Sequence, residues 1–121
     1  SKLEQMKPYI NINKYKARLM TKWPGPHTWI VPTRTTPVWI RGNYDSVALR
    51  VSNHPIITEI CNKFEGAMVS TSANMKGEKP VTTKQEVKEL FGTLNIVEGS
   101  LGTLNNSTPI QDVETDEWIR E

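Results

Sequence analysis

The chain is short of cysteine, histidine and long apolar runs, and each shortage removes a class of protein. Cys61 is the single cysteine among 121 residues, so no disulfide can form within the chain; this agrees with a reducing, cytoplasmic setting. No apolar run approaches the ~18 residues of a membrane span, and residues 1–10 carry no continuous apolar stretch of the signal-peptide kind. There is no glycine-rich phosphate loop of the P-loop or dinucleotide type, and no paired Cys/His set for zinc. His27 and His54 stand alone, each beside a proline, and read as structural or exposed. No repeat, low-complexity tract or linker divides the chain.

What is present fits one globular domain able to bury one ordinary core. Hydrophobic residues make up 36% and charged residues 23%, which argues against a disordered chain. The net charge of +2 is unevenly spread. Residues 1–50 hold nine Lys/Arg against Glu4 and Asp45, giving +7, while residues 51–121 hold six against eleven acids, giving −5. The basic half suits an anionic partner such as nucleotide phosphates or RNA, or is a solvated helix face around Lys14, Lys16, Arg18 and Lys22.

Residues 1–22 read as mostly helical, with Ile12, Tyr15, Leu19 and Met20 on one face. Trp23-Pro24-Gly25-Pro26 stops that helix in a rigid turn. Thr28–Val31 is a strand ended by Pro32, and residues 33–43 form a loop with a short helical turn at Val38–Ile40. Residues 45–51 are the next strand: Val47, Leu49 and Val51 alternate with Ser46, Ala48 and Arg50. His54-Pro55 opens a helix whose apolar stripe is Ile56, Ile57, Ile60, Cys61 and Phe64 and which Gly66 ends. With Ala67–Val69 as a further strand, strand-helix-strand spans a crossover-sized stretch and predicts a parallel pair.

Thr83-Lys84-Gln85-Glu86 is a capping box for a short helix with Val87, Leu90 and Phe91 on its apolar face and Gly92 as its cap. Residues 94–97 are a further strand candidate, 98–106 are turn-rich, and 110–113 and 117–120 form two short strands joined around Thr115-Asp116.

Chemistry concentrates at two places. Residues 67–77 pass from an apolar run into Ser70-Thr71-Ser72-Ala73-Asn74. At the carboxyl edge of a strand, such hydroxyls and an amide face ligands; the simpler role is to start a turn. Arg50 sits on the polar face of an otherwise apolar strand, where a charge is costly without a partner. Its partner is an acidic residue in a salt bridge, or a carboxylate or phosphate held in the guanidinium fork. Cys61 lies on the apolar stripe and reads as core, and the four tryptophans, which follow no single face, read as core or rim.

Trp-Pro-Gly-Pro at 23–26, Ser-Val-Ala-Leu-Arg-Val at 46–51 with His54-Pro55, and Ser-Thr-Ser-Ala-Asn at 70–74 with Gly77 and Pro80 resemble the YrdC-like domain family. Within it they resemble the bacterial threonylcarbamoyl-AMP synthases called TsaC. The tail, with Thr108, Ile110, Asp112 and Arg120, looks like the family's closing segment, so the resemblance covers nearly the whole chain. It implies an α/β fold, a twisted mixed sheet flanked by helices. It also implies synthesis of threonylcarbamoyl-adenylate from L-threonine, bicarbonate and ATP, with ATP as substrate, Mg2+ accompanying it, and pyrophosphate released. The product serves tRNA modification, so tRNA or tRNA-modification proteins are implied downstream.

By motif match, Ser46, Ser72, Asn74 and Arg120 correspond to nucleotide contacts, and Arg50, Ser70 and Thr108 to threonine contacts. No catalytic side chain and no metal ligand is singled out. The resemblance also implies a departure. The family's Ser-x-Asn pair works with a Lys-x-Arg pair and a Pro-Thr-Glu-Thr type stretch from an N-terminal segment, and neither occurs here. The expectation is the carboxyl-terminal two-thirds of the domain, binding ATP weakly and turning over poorly alone, with a sheet edge open to dimerisation. The rival reading is a non-catalytic module of the same fold that binds tRNA or double-stranded RNA.

Overall fold

Two adjacent strand signals, at 28–32 and 45–51, lie either side of a polar loop, and they pair with each other. The computed structural model describes residues 1–104 and 106–121; Asn105, within the turn-rich stretch, lies outside the described residues. In chain order the elements are a 3-10 turn (Leu3–Met6), α1 (Ile12–Leu19), β1 (Thr28–Pro32), α2 (Val38–Arg41), β2 (Ser46–Leu49), α3 (Pro55–Phe64), α4 (Lys84–Leu90), β3 (Ile110–Asp112) and β4 (Trp118–Arg120). The sheet is four-stranded and mixed, in the order β2-β1-β3-β4. β1 pairs antiparallel with β2 and parallel with β3, and β3 pairs antiparallel with β4.

Contacts divide the chain into two compact units, residues 1–68 with 102–121, and residues 69–101. The sheet and its core belong to the first. Period-two alternation gives the sheet two unlike faces. One carries Trp29, Val31, Val47 and Val113, all buried, with Leu19, Trp23, Met6 and Ile10 packed among them. The other carries Thr28, Ile30, Ser46 and Ala48.

Helix α1 is built by its cap and its stripe. The Asn11 side chain accepts the Lys14 N–H at 3.4 Å. Leu19 is 0% exposed, and Ile12 and Tyr15 pack against the core. Its polar face reaches the β3–β4 turn. Tyr15 donates to Glu114 at 3.0 Å, and Arg18 pairs with Asp116. Gly25 approaches the Lys22 carbonyl so closely that a Cβ would sit 2.6 Å from it, and the Gly25 N–H donates to Val51 at 2.8 Å. Only glycine fits that contact.

Several expectations are corrected. Residues 1–22 are a 3-10 turn and a separate helix, with turns and a bend at residues 7–10 between them. Met20 is exposed because the helix stops at Leu19 and Met20 falls at its cap. Residues 67–69 and 94–97 are not strands: neither finds a neighbour to pair with, and Met68, Val69, Leu94 and Val97 are exposed. The expected parallel crossover pair is therefore absent among the described residues, and β2 instead folds back antiparallel on β1. The Thr33 N–H donates to the Asp45 carbonyl at 3.0 Å and closes the loop that makes this return.

Helix α3 buries Cys61, as expected, but leaves Ile57 and Phe64 exposed. It ends at Glu65, which takes the left-handed conformation (φ 60°) one residue before Gly66. In the second unit Thr83 caps the helix as read, its Oγ1 accepting the Glu86 N–H at 3.2 Å, but the Glu86 carboxylate takes the Thr83 hydroxyl at 2.8 Å, so only this half of the capping box forms. The cap there is Phe91, and Leu90 is exposed.

Candidate functional site: a pair of guanidinium groups on the open sheet face

Arg50 follows β2 directly and falls in phase with Ser46 and Ala48, on the open face. Arg120 ends β4 and stands opposite Ile110, which stands opposite Thr28. Arg50, Thr28, Ile110 and Arg120 thus form a row across one end of the sheet, with an arginine at each edge. Thr108, two residues before β3, lies between the two. Its backbone is held by the Thr28 N–H, which donates to the neighbouring Pro109 carbonyl at 2.9 Å.

Both guanidinium groups reach Thr108. Arg50 Nη1 donates to Thr108 Oγ1 at 3.0 Å, and Arg120 Nη2 to the same oxygen at 3.4 Å. Arg120 Nε donates to the Thr108 carbonyl at 2.8 Å. Among the described residues neither arginine pairs with a carboxylate. Burial first, and the charge of Arg120 second, hold the Arg50 guanidinium below its ordinary range. It remains a cation at any working pH. Having accepted twice, the Thr108 hydroxyl has its proton left to donate. Two forks and one O–H therefore present donors and positive charge with nothing to balance them, which fits a carboxylate or a phosphate. Of the two alternatives for Arg50, the internal salt bridge is absent among the described residues.

Ser46 shares this face but not this end. It opens β2 opposite Pro32, four residues from Arg50, or about 13 Å along the strand. Ser70, Ser72 and Asn74 belong to the second unit. Ser70 and Ser72 are exposed, and Asn74 is half-buried. The Asn74 N–H donates to the Ser72 carbonyl at 3.1 Å, its Nδ2 donates to the Met75 carbonyl at 3.0 Å, and the Val81 N–H donates to the Ala73 carbonyl at 2.9 Å. Asn74 Oδ1 is buried without a hydrogen-bond partner. The turn role read for this stretch is thus real, and it leaves one acceptor to spare. Thr28, Ile30 and Ala48, the floor between the arginines and Ser46, were not singled out from the sequence. Thr-Trp-Ile-Val reads as continuous apolar strand, and only pairing with β2 reveals which residues share the Arg50 face.

Comparison with known proteins agrees with the motifs. The Sua5/YciO/YrdC family, described as Telomere recombination, matches residues 1–120. The chain is 41% identical over 123 aligned positions to the threonylcarbamoyl-AMP synthase of Yersinia pestis (strain Pestoides F), covering 97% of this chain and 65% of that protein. The protein of the same name from Yersinia pseudotuberculosis serotype O:1b (strain IP 31758) matches equally. Among solved structures, P. abyssi Sua5 complexed with L-threonine superposes with a TM-score of 0.80 at 25% identity, over 93% of this chain and 34% of that one. A doubly substituted P. abyssi Sua5 gives 0.81 at 26% identity, over 93% and 36%. The chain thus spans 65% of the length of the curated relatives it matches. On fold, motifs and relatives together, this chain belongs to the Sua5/YciO/YrdC family.

Proposed function

We propose that the chain is the larger part of a threonylcarbamoyl-AMP synthase, a nucleotidyl-transferring enzyme that joins L-threonine, bicarbonate and ATP. The observation that carries this reading is the unbalanced guanidinium pair on Thr108. The printed names of the relatives, and a neighbour complexed with L-threonine, support the same substrates. In this reading Arg50, Thr108 and Ser70 hold the amino-acid substrate, and Ser46, Ser72, Asn74 and Arg120 contact the nucleotide.

The amine of threonine takes up carbon dioxide or bicarbonate as a carbamate. A carbamate oxygen then attacks the α-phosphorus of ATP, and the bond to the β-phosphate oxygen breaks to release pyrophosphate. ATP, bicarbonate and the carbamate are anions and threonine carries a carboxylate, so the protein's work is to align them and offset their negative charge. An arginine fork on the threonine carboxylate does both, and it leaves the amine free to react. Among the described residues no group of three or more His, Cys, Asp or Glu side chains could hold a metal ion. Magnesium would therefore enter on the triphosphate, as part of the substrate.

No helix among the described residues is long and apolar enough to cross a membrane, and a cytoplasmic place beside tRNA-modifying proteins follows from the proposed product. The test is pyrophosphate release from ATP by this chain, with and without L-threonine and bicarbonate. Release that needs both supports the reading. If folded protein releases none and binds no L-threonine, the reading fails.

A further inference from the structure

The position of Arg120 depends on an irregularity in the pairing of β3 with β4. Gln111 stands opposite Trp118, yet Ile110 stands opposite Arg120, so β4 takes two steps where β3 takes one and Ile119 is the extra residue. An unbroken ladder from the Gln111–Trp118 pair would set Ile119 opposite Ile110 and turn Arg120 to the other face of the sheet. The bulge instead brings Arg120 opposite Ile110, on the open face that carries Arg50, where it reaches Thr108.

β4 has little of its own to fix this register. It is three residues long, all of them exposed, and it ends the sheet among the described residues. The Gln111–Trp118 pair, from which the bulge is counted, is set by the turn before it. There the Asp112 carboxylate accepts the Glu114 and Thr115 N–H groups at 2.8 and 2.9 Å. The Asp112 N–H donates to the Glu117 carbonyl at 2.8 Å. Asp116 then takes the left-handed conformation (φ 69°), which costs a non-glycine residue energy, less for Asp than for most. Gln111 holds it there: its Nε2 donates to the Asp116 carboxylate at 2.6 Å and to the Asp116 carbonyl at 3.2 Å. Arg18 of α1 pairs with the same carboxylate. Gln111 is only 6% exposed, on the core face beside Trp29, where an amide is costly unless bonded. The bonds to Asp116 offset that cost and tie the turn to the core.

We infer that Gln111 and Asp116 are positioning residues for Arg120: their side-chain bond fixes the turn from which β4 starts, and through the bulge at Ile119 it aims Arg120 at Thr108. The inference rests on the reading of Arg120 as a residue that holds the nucleotide, and it names what places that arginine.

The test uses the whole, isotope-labelled chain and follows the Arg120 Nε–H by NMR, with Arg120→Lys identifying its signal by removing it. In the parent this group, bonded to the Thr108 carbonyl, should exchange slowly with water. Gln111→Met keeps the bulk of the side chain and removes its donors, and should speed that exchange by about tenfold or more. Asp116 is exposed, so Asp116→Gly, which suits the left-handed turn and lacks the carboxylate, will fold and should speed exchange as well. Asp116→Asn keeps the acceptor that Gln111 uses and should restore slow exchange. Slow exchange kept in folded Gln111→Met, or in Asp116→Gly, overturns the inference. Calorimetric titration with ATP then separates aim from stability. Gln111→Met should weaken ATP binding by about fivefold or more in the parent and leave it unchanged in an Arg120→Ala background. An equal loss in both backgrounds overturns the inference. A parent that binds no ATP overturns the reading of Arg120 instead, and the Nε–H signal still decides the inference.

Discussion

Arg50 and Arg120 reach the same hydroxyl, that of Thr108, from opposite edges of the sheet. Two cations that share an acceptor and lack a counter-ion repel each other, and burial of Arg50 sharpens this. The arrangement is tolerable because an anionic ligand relieves it. Affinity for that ligand and strain in its absence are two aspects of one geometry.

Replacing Arg50 separates the charge from the fork. Arg50→Ala should weaken L-threonine binding by about tenfold or more, the usual scale for a lost hydrogen bond to a charged group. Arg50→Lys keeps the charge and loses the planar pair of donors, so it should recover only part of the affinity. Calorimetric titration of folded protein with L-threonine checks both, and equal affinity in all three proteins would remove Arg50 from the site.

Thr108→Val keeps the shape and removes the shared oxygen. The Arg120 Nε bond to the backbone carbonyl of residue 108 survives the change. Stability should therefore fall by no more than about 1 kcal/mol in urea denaturation, the scale of one partly exposed hydrogen bond. Ligand affinity should fall further, since the hydroxyl also offers its proton to the bound anion. A large loss of stability with unchanged affinity would make Thr108 a structural strut only.

Core and surface should separate sharply at two adjacent positions. Leu19 is fully buried, and Leu19→Ala should cost about 2–5 kcal/mol of stability. Met20 is 46% exposed, and Met20→Ala should change stability by less than about 0.5 kcal/mol. Chemical denaturation of both variants checks that helix α1 ends its apolar stripe at Leu19.

That boundary shows what a sequence carries and what it withholds. Local chemistry was legible: the Thr83 cap on the Glu86 N–H, the alternation in 46–49 and the turn at Thr115-Asp116 all act within a few residues, whereas helix α1 ends at Leu19, short of the stop expected at Trp23-Pro24. Pairing was not. Ala67–Val69 has the composition of a strand, but a strand also needs a neighbour, and none is encoded locally. The same limit hid the Arg50–Thr108 bond, which joins residues 58 apart. A stripe such as Ile57–Phe64 states which side of a helix is apolar, not whether anything covers it. Trp39 reads from sequence as core or rim, like the other tryptophans, because exposure is a tertiary property.

His27 gives the fold a pH dependence whose sign can be worked out. Its ring is buried on the core face, 4.5 Å from Trp29 and 5.6 Å from Trp118 by centroids. Burial first, and the charge of Lys22 second, lower its pKa below the ordinary 6.5, against a weaker opposing pull from Gln111. His27 Nε2 and Gln111 Oε1 are both buried without hydrogen-bond partners, and the pull of Gln111 toward the imidazolium is outweighed by burial and by Lys22. The unfolded chain thus binds a proton at a higher pH than the folded chain does. Stability due to neutral His27 is fully present above pH 6.5 and is lost as pH falls from there through the lower, folded value. Urea midpoints measured across this window should drop with falling pH, and His27→Gln, which cannot titrate, should flatten that slope whatever its own stability. A parent protein whose midpoint rises as pH falls below 6.5 would mean that the imidazolium finds a partner in this core.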